Sequence, residues 1–114
     1  MANLDFNKND DKMRLLISEM KRKHAIVSLG GGKQKIDKQH AKGKLTARER
    51  IDYLKDTDAN FLEIGAFVGE GMYAKYGGCP SGGVVAGITY VKDRQCIVVA
   101  NDATVKAGAW FPIT

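Results

Sequence analysis

Lys106 is the charged side chain best placed for chemistry in this 114-residue sequence. It follows the run Val98-Val99-Ala100-Asn101-Asp102-Ala103-Thr104-Val105, and Ala103, Thr104, Ala107 and Gly108 around it are small enough to admit a ligand to the backbone. A lysine in such surroundings acts as a compact point charge toward a phosphate. Composition alone favours a plainer role, a solvated surface lysine.

The other reactive types lack partners at working distance. Gly30-Gly31-Gly32-Lys33 lacks the outer glycine and the Lys-Ser/Thr pair of a phosphate-binding loop and follows no strand, so it reads as a flexible linker. Gly77-Gly78-Cys79-Pro80-Ser81-Gly82-Gly83 leads into no helix whose N-terminus would hold an anion. Its glycines suit turns with positive φ, or close backbone approach. His24 and His40 have no carboxylate or second histidine at ligand spacing and read as exposed helix residues. Ser81 beside Pro80 has no nucleophile-elbow pattern. Cys79 and Cys96 are not spaced as a metal or redox pair; Cys96 reads as a small apolar strand residue, and Cys79 has no base beside it. No residue is read as catalytic, and none as a metal ligand.

The elements that carry these residues are legible from periodicity. Residues 1–10 are polar and expected to fray. From Asp11, Met13, Leu16, Ile17 and Met20 fall on one stripe of an amphipathic helix, which is expected to be a packing surface. After the glycines, Lys33 to about Lys42 forms a second, polar helix with Gly43 at its C-terminal cap. Thr46-Ala47-Arg48-Glu49 fits a capping box that starts a third, with Ala47, Ile51 and Leu54 as its buried edge. Phe61-Leu62-Glu63-Ile64 is a short strand, and Gly65 to Gly83 a long glycine-rich loop. Two apolar runs separated by Lys92-Asp93-Arg94-Gln95 then form a hairpin that stops at Asn101-Asp102.

Composition sets the outer limits. A hydrophobic share of 44% and a charged share of 27% are those of an ordinary globular chain. No apolar run approaches the roughly 20 residues needed to cross a bilayer. The N-terminal residues have no signal-peptide core, and Asp5, Asp10 and Asp11 are unlike a transit peptide, so the cytoplasm is the expected compartment. Residues 1–60 hold 14 of the 18 Lys+Arg and 9 of the 13 Asp+Glu, so the whole net charge of +5 lies in the helical front. Such a front suits an acidic partner, a phosphorylated ligand or nucleic acid, although no aromatic residues interleave its lysines.

Three segments together carry a resemblance. They are Lys44-Leu45-Thr46-Ala47-Arg48-Glu49-Arg50-Ile51, Gly78-Cys79-Pro80 with Gly82-Gly83-Val84-Val85-Ala86-Gly87-Ile88, and Val98-Val99-Ala100-Asn101-Asp102-Ala103-Thr104-Val105-Lys106. In order and register, over roughly residues 30–114, the chain resembles the N-terminal portion of carboxyltransferase (β) subunits of biotin-dependent acyl-CoA carboxylases. The segment from Asn101 to Lys106 is most similar to the methylcrotonoyl-CoA branch.

The resemblance implies an α/β, crotonase-like spiral fold, of which this is the N-terminal portion: helices followed by a β-hairpin. Residues 1–32 would be a helix and glycine linker, and 33–114 the incomplete start of the carboxyltransferase N-terminal domain. The implied reaction transfers a carboxyl group from carboxybiotin, carried on a partner domain, to an acyl-CoA. Backbone amide pairs stabilise the enolate and the ureido anion. In the family those amides lie beyond the positions matched here, so the 114-residue chain is expected to be inactive alone.

Lys106 matches a lysine on the coenzyme A side of the cleft and is the expected phosphate contact, with Arg48 or Arg50 as weaker candidates. The implied partners are acyl-CoA, the biotin carboxylase and biotin carrier subunit, and further copies of the full-length subunit, with neither nucleic acid nor membrane. The competing expectation is a stand-alone basic interaction module that binds an acidic partner or nucleic acid. An uncovered hairpin layer favours the first.

Overall fold

Local signals in the first half of the chain produce three helices in succession. The computed structural model describes residues 2–114, with α1 (Ala2–Val27), α2 (Lys33–Ala41) and α3 (Ala47–Leu54) preceding strands β1 (Leu62–Ile64), β2 (Val84–Val91) and β3 (Arg94–Asn101). Among these residues no helix is long and apolar enough to cross a membrane.

Fraying before Asp11 is corrected, because α1 runs back to Ala2. Asp5 lies in its first turn, where a negative charge suits the helix dipole, and Arg14 reaches back one turn to Asp10 at 2.8 Å. α2 ends with the Gly43 N–H on the His40 carbonyl at 2.8 Å, and Gly43 takes φ +69°. At α3 the capping box closes in both directions. The Thr46 hydroxyl accepts from the Glu49 N–H, and the Glu49 carboxylate accepts from the Thr46 N–H at 2.8 Å. That amide bond and the His40 ring hold the Glu49 carboxyl below its ordinary pKa.

The sheet is antiparallel in the order β1-β2-β3, with Leu62 opposite Ile88 and Ile88 opposite Ile97. Side chains alternate faces along each strand. One face carries Val85, Val98 and Ala100 onto Ala47 and Ile51 of α3, joined by Phe61; Ile51 is only 2% exposed. The opposite face carries the rows Leu62-Ile88-Ile97 and Ile64-Ala86-Val99, and Ile97 remains 79% exposed. Leu54, expected on the buried edge of α3, is exposed instead. It lies beside β3, the last strand of the sheet, and lines a groove with Val99 rather than a core.

The hairpin turn is tighter than its polar break suggests. Arg94 and Gln95 already belong to β3, and only Lys92 and Asp93 make the turn, with φ of +52° and +61°. Two positive φ angles define a type I′ turn, which strains any residue bearing a Cβ. Asp56, just past α3, offsets that strain. Its carboxylate accepts the Lys92 N–H at 2.7 Å and the Asp93 N–H at 2.8 Å. Asp56→Ala is expected to cost about 1–2 kcal/mol, because two charge-assisted bonds at an exposed turn are lost. Asp56→Asn should recover part of it, and urea denaturation of the three chains checks the order.

The segment from Gly65 to Gly83 folds against the far end of the sheet in short turns. Cys79 packs with Val105 and Phe111, flanked by Tyr73. The Ser81 hydroxyl donates to the Ala66 carbonyl at 3.0 Å. Gly30-Gly31-Gly32, read from sequence as a loose linker, is a docked turn. The Gly31 N–H donates to Thr104 Oγ1 at 2.9 Å, and a Cβ on Gly31 would overlap the Thr104 carbonyl.

Candidate functional site

The stretch after β3 is held by every polar side chain in it. The Asp102 carboxylate accepts from the Thr104 N–H at 2.9 Å and from the Thr104 hydroxyl, which in turn accepts from Gly31. The Asn101 side-chain oxygen accepts from the Trp110 indole N–H at 3.1 Å. The Asp102 N–H donates to the Gly83 carbonyl, extending the contact to the neighbouring glycine turn. Thr104 and Val105 are buried as a result.

This frame presents Lys106 at the surface. Lys106 and Ala107 take φ of +47° and +54°, consecutive left-handed residues that persist only where the surroundings hold them. The Lys106 ammonium lies 4.4 Å from the centre of the Phe111 ring and donates to the Trp110 carbonyl at 3.3 Å. An ammonium has three donors, so two remain for a ligand. Lys106 also bears on Cys79, whose thiol burial pushes up in pKa while the nearby positive charge partly opposes it. Cys79 is therefore a buried thiol, not a nucleophile in waiting.

Arg50 is a weaker candidate from the sequence, but Lys44 and its grouping with Arg50 on the other side of this loop are not foreseen there. A depression of about 550 Å³ is lined by Lys44 and Arg50 together with Gln39, Leu45, Ala103 and Ala107. Two cations thus stand beside the small residues that flank Lys106 in the chain, with no acid among the lining residues. Lys44 and Arg50 precede Ala107 by more than fifty positions, so no local pattern announces the grouping. Arg50 also borders an apolar groove of about 710 Å³ between α3 and the free edge of β3.

Arg48 is engaged elsewhere. Its guanidinium makes two bonds to Glu63 of β1, at 2.7 and 2.8 Å, and His24 of α1 approaches the same carboxylate at 3.4 Å. His40 sits 2.9 Å from Glu49. Both histidines are exposed on helices, but each has found a carboxylate from another element. Among the described residues no three or more His, Cys, Asp or Glu side chains are grouped as a metal site.

Comparison with known proteins adds three findings. The family model described as the carboxyl transferase domain matches residues 38–114. The biotin-dependent 3-methylcrotonyl-coenzyme A carboxylase beta1 subunit of Mycobacterium tuberculosis is 41% identical over 91% of this chain and 19% of its own length. The probable mitochondrial methylcrotonoyl-CoA carboxylase beta chain of Drosophila melanogaster is 40% identical over 96% and 19%. This chain spans about a fifth of the length of the curated relatives it matches.

Among solved structures, the transcarboxylase 12S hexamer with methylmalonyl-coenzyme A bound superposes with a TM-score of 0.73 at 32% identity, over 82% of this chain and 18% of that one. The beta subunit of geranyl-CoA carboxylase from P. aeruginosa gives a TM-score of 0.55 at 28% identity, over 87% and 16%.

Proposed function

The chain belongs to the carboxyl transferase domain family, and from that premise we propose that it is the N-terminal part of an acyl-CoA carboxylase carboxyltransferase subunit. Its helices followed by an antiparallel sheet are the α/β, crotonase-like architecture of the carboxyltransferases it superposes on. The proposed reaction of the whole subunit carries a carboxyl group from carboxybiotin to an acyl-CoA of the methylcrotonoyl type. Its partners would be a biotin carboxylase with its biotin carrier, and further copies of the subunit. Residues 1–32 precede the domain proper, which starts within 33–114. Free Cys79 and Cys96 fit a reducing compartment, and the cytoplasm is the one we propose.

The role proposed for this segment is to hold the coenzyme A end of the substrate. Lys106 is the proposed phosphate contact, and the observation that carries it is its exposed ammonium at the end of a braced left-handed turn. Lys44 and Arg50 beside Ala103 and Ala107 add positive potential nearby, where a phosphate chain can approach the small side chains. Arg48, weighed from sequence as another contact, is left to Glu63.

Biotin is not assigned to any residue here. Every buried side-chain nitrogen and oxygen among the described residues already has a partner within the chain. No step is derived through it. The alternative, a stand-alone basic module for nucleic acid or an acidic partner, finds no support in the relatives.

In the full-length subunit, Lys106→Ala is expected to raise KM for acyl-CoA about tenfold with kcat little changed, the mark of lost ground-state binding. The same substitution should leave KM for the acyl-pantetheine analogue, which has no phosphates, where it was. An equal loss on both substrates, or no loss on either, would overturn the assignment.

A further inference from the structure

The glycine turn between α1 and α2 lies ahead of residues 38–114, which the carboxyl transferase model matches, yet it reaches the loop that carries Lys106. Gly30 and Gly32 take positive φ but Gly31 does not, so at Gly31 the requirement is space alone. A Cβ there would overlap the Thr104 carbonyl, and one on Gly30 would overlap the Asp102 carboxylate and crowd Thr104 Oγ1. The turn is itself fixed to the end of α1. The Gly30 N–H donates to the Val27 carbonyl at 3.0 Å, the Gly32 N–H to the Leu29 carbonyl at 2.9 Å, and Val27 is buried.

Thr104 is where that turn meets the loop. A hydroxyl has one proton to donate and lone pairs that accept. Thr104 donates to Asp102 and accepts the Gly31 N–H at 2.9 Å, and at 3% exposure water does not readily replace either partner. Val105, the next residue, packs with Cys79 and Phe111 from other parts of the chain. The loop is thus pinned at two consecutive residues by separate segments. Immediately after them the backbone enters positive φ at Lys106 and Ala107. Such a pair keeps its shape only while its surroundings hold it, so a shift at Thr104 displaces the ammonium two residues on.

We propose that Gly31 and Thr104 are positioning residues for the phosphate contact: the glycine turn after α1 fixes the place of Lys106 through the Thr104 hydroxyl. Neither residue touches the substrate. The role rests on the reading of Lys106 as the coenzyme A contact, and it makes that contact depend on a turn outside the matched domain.

Steady-state kinetics of the holoenzyme test it. Thr104→Val keeps the shape but loses both hydroxyl bonds, and should raise KM for acyl-CoA about threefold to fivefold with kcat little changed. KM for the acyl-pantetheine analogue, which has no phosphates, should stay where it was. Thr104→Ser keeps the hydroxyl and should recover most of the parent's KM. Gly31→Ala should match Thr104→Val, and it carries the test if the valine chain fails to fold, because the half-buried turn can swing aside. In a Lys106→Ala background neither substitution should raise KM further, since the group they place is gone. Equal factors in both backgrounds overturn the proposal while leaving Lys106 in its role. So does a KM for acyl-CoA that neither substitution moves, and so does a rise shared by both substrates. If Lys106→Ala alone leaves KM unchanged, the reading of Lys106 falls and this one with it.

Discussion

Gly87→Ala is expected to melt about 10 °C or more below the parent chain. Gly87 sits in the central strand opposite Glu63, where β1 crosses with no room between backbones. An added Cβ would lie 2.5 Å from the Phe61 ring and would overlap the Leu62 carbonyl. Neither neighbour yields cheaply, because one is strand backbone and the other packs against the Ile51 core. Overpacking of this kind costs about 1–3 kcal/mol or more, and each kcal/mol moves the midpoint of a small domain by roughly 4–8 °C. Gly77→Ala gives the contrast. Gly77 has φ +90° but nothing within 4 Å of the new Cβ, so only the backbone term of about 1–2 kcal/mol is at stake. Calorimetry that finds the two substitutions equal would remove the argument from close approach.

The second large effect belongs to Arg48. Glu63 is 11% exposed and Arg48 26%, so this is a largely desolvated pair with bidentate geometry, and it ties α3 to β1. Removing Arg48 leaves the carboxylate without its partner, at a cost of about 2–4 kcal/mol near neutral pH. The pH dependence carries a sign. Burial by itself would raise the pKa of Glu63, but the Arg48 hydrogen bonds and charge, with His24 adding to them, outweigh it and hold the carboxyl below its ordinary value. A depressed folded pKa means that the pair's stabilisation is complete above the unfolded value and is lost as pH falls through the folded one. In Arg48→Ala burial acts with less opposition, and the residual penalty is relieved as Glu63 takes up a proton. The gap in unfolding free energy between parent and variant should therefore be widest near pH 7 and close below about pH 4. Arg48→Lys keeps the charge but not the fork and should fall between them. Urea titrations from pH 3 to 8 read all three, and a gap that stays constant with pH would mean that Glu63 is not the cause.

Features encoded within a few residues are legible in the sequence itself. The capping box spans Thr46 to Glu49, and its two bonds form between those residues. All three strands could be placed, because β-branched runs and polar breaks are local signals. Boundaries shifted where one conformation compresses the chain. Arg94 and Gln95 join β3 because positive φ at Lys92 and Asp93 lets two residues do the work of four. Contacts across long separations were not legible. Gly31 meeting Thr104, Arg48 meeting Glu63, and Lys44 and Arg50 gathered at Ala107 each join residues whose own neighbourhoods look ordinary. Gly30-Gly31-Gly32 shows the limit clearly. A run of glycines says that side chains are absent, but not whether freedom or a close neighbour requires it.

Asp56 has a consequence for the order in which the chain assembles. A hairpin whose turn holds two left-handed residues with side chains is a poor self-starting nucleus, since the turn is unfavourable until its amides are claimed. The claimant sits 36 residues upstream of Lys92 and is delivered by the end of α3. Closing that span is expected to precede the zipping of β2 onto β3, so the rate-limiting ensemble should already contain α3 and the Asp56 contact. Loss of the carboxylate would then slow folding more than it hastens unfolding, an asymmetry visible in the two limbs of a chevron plot.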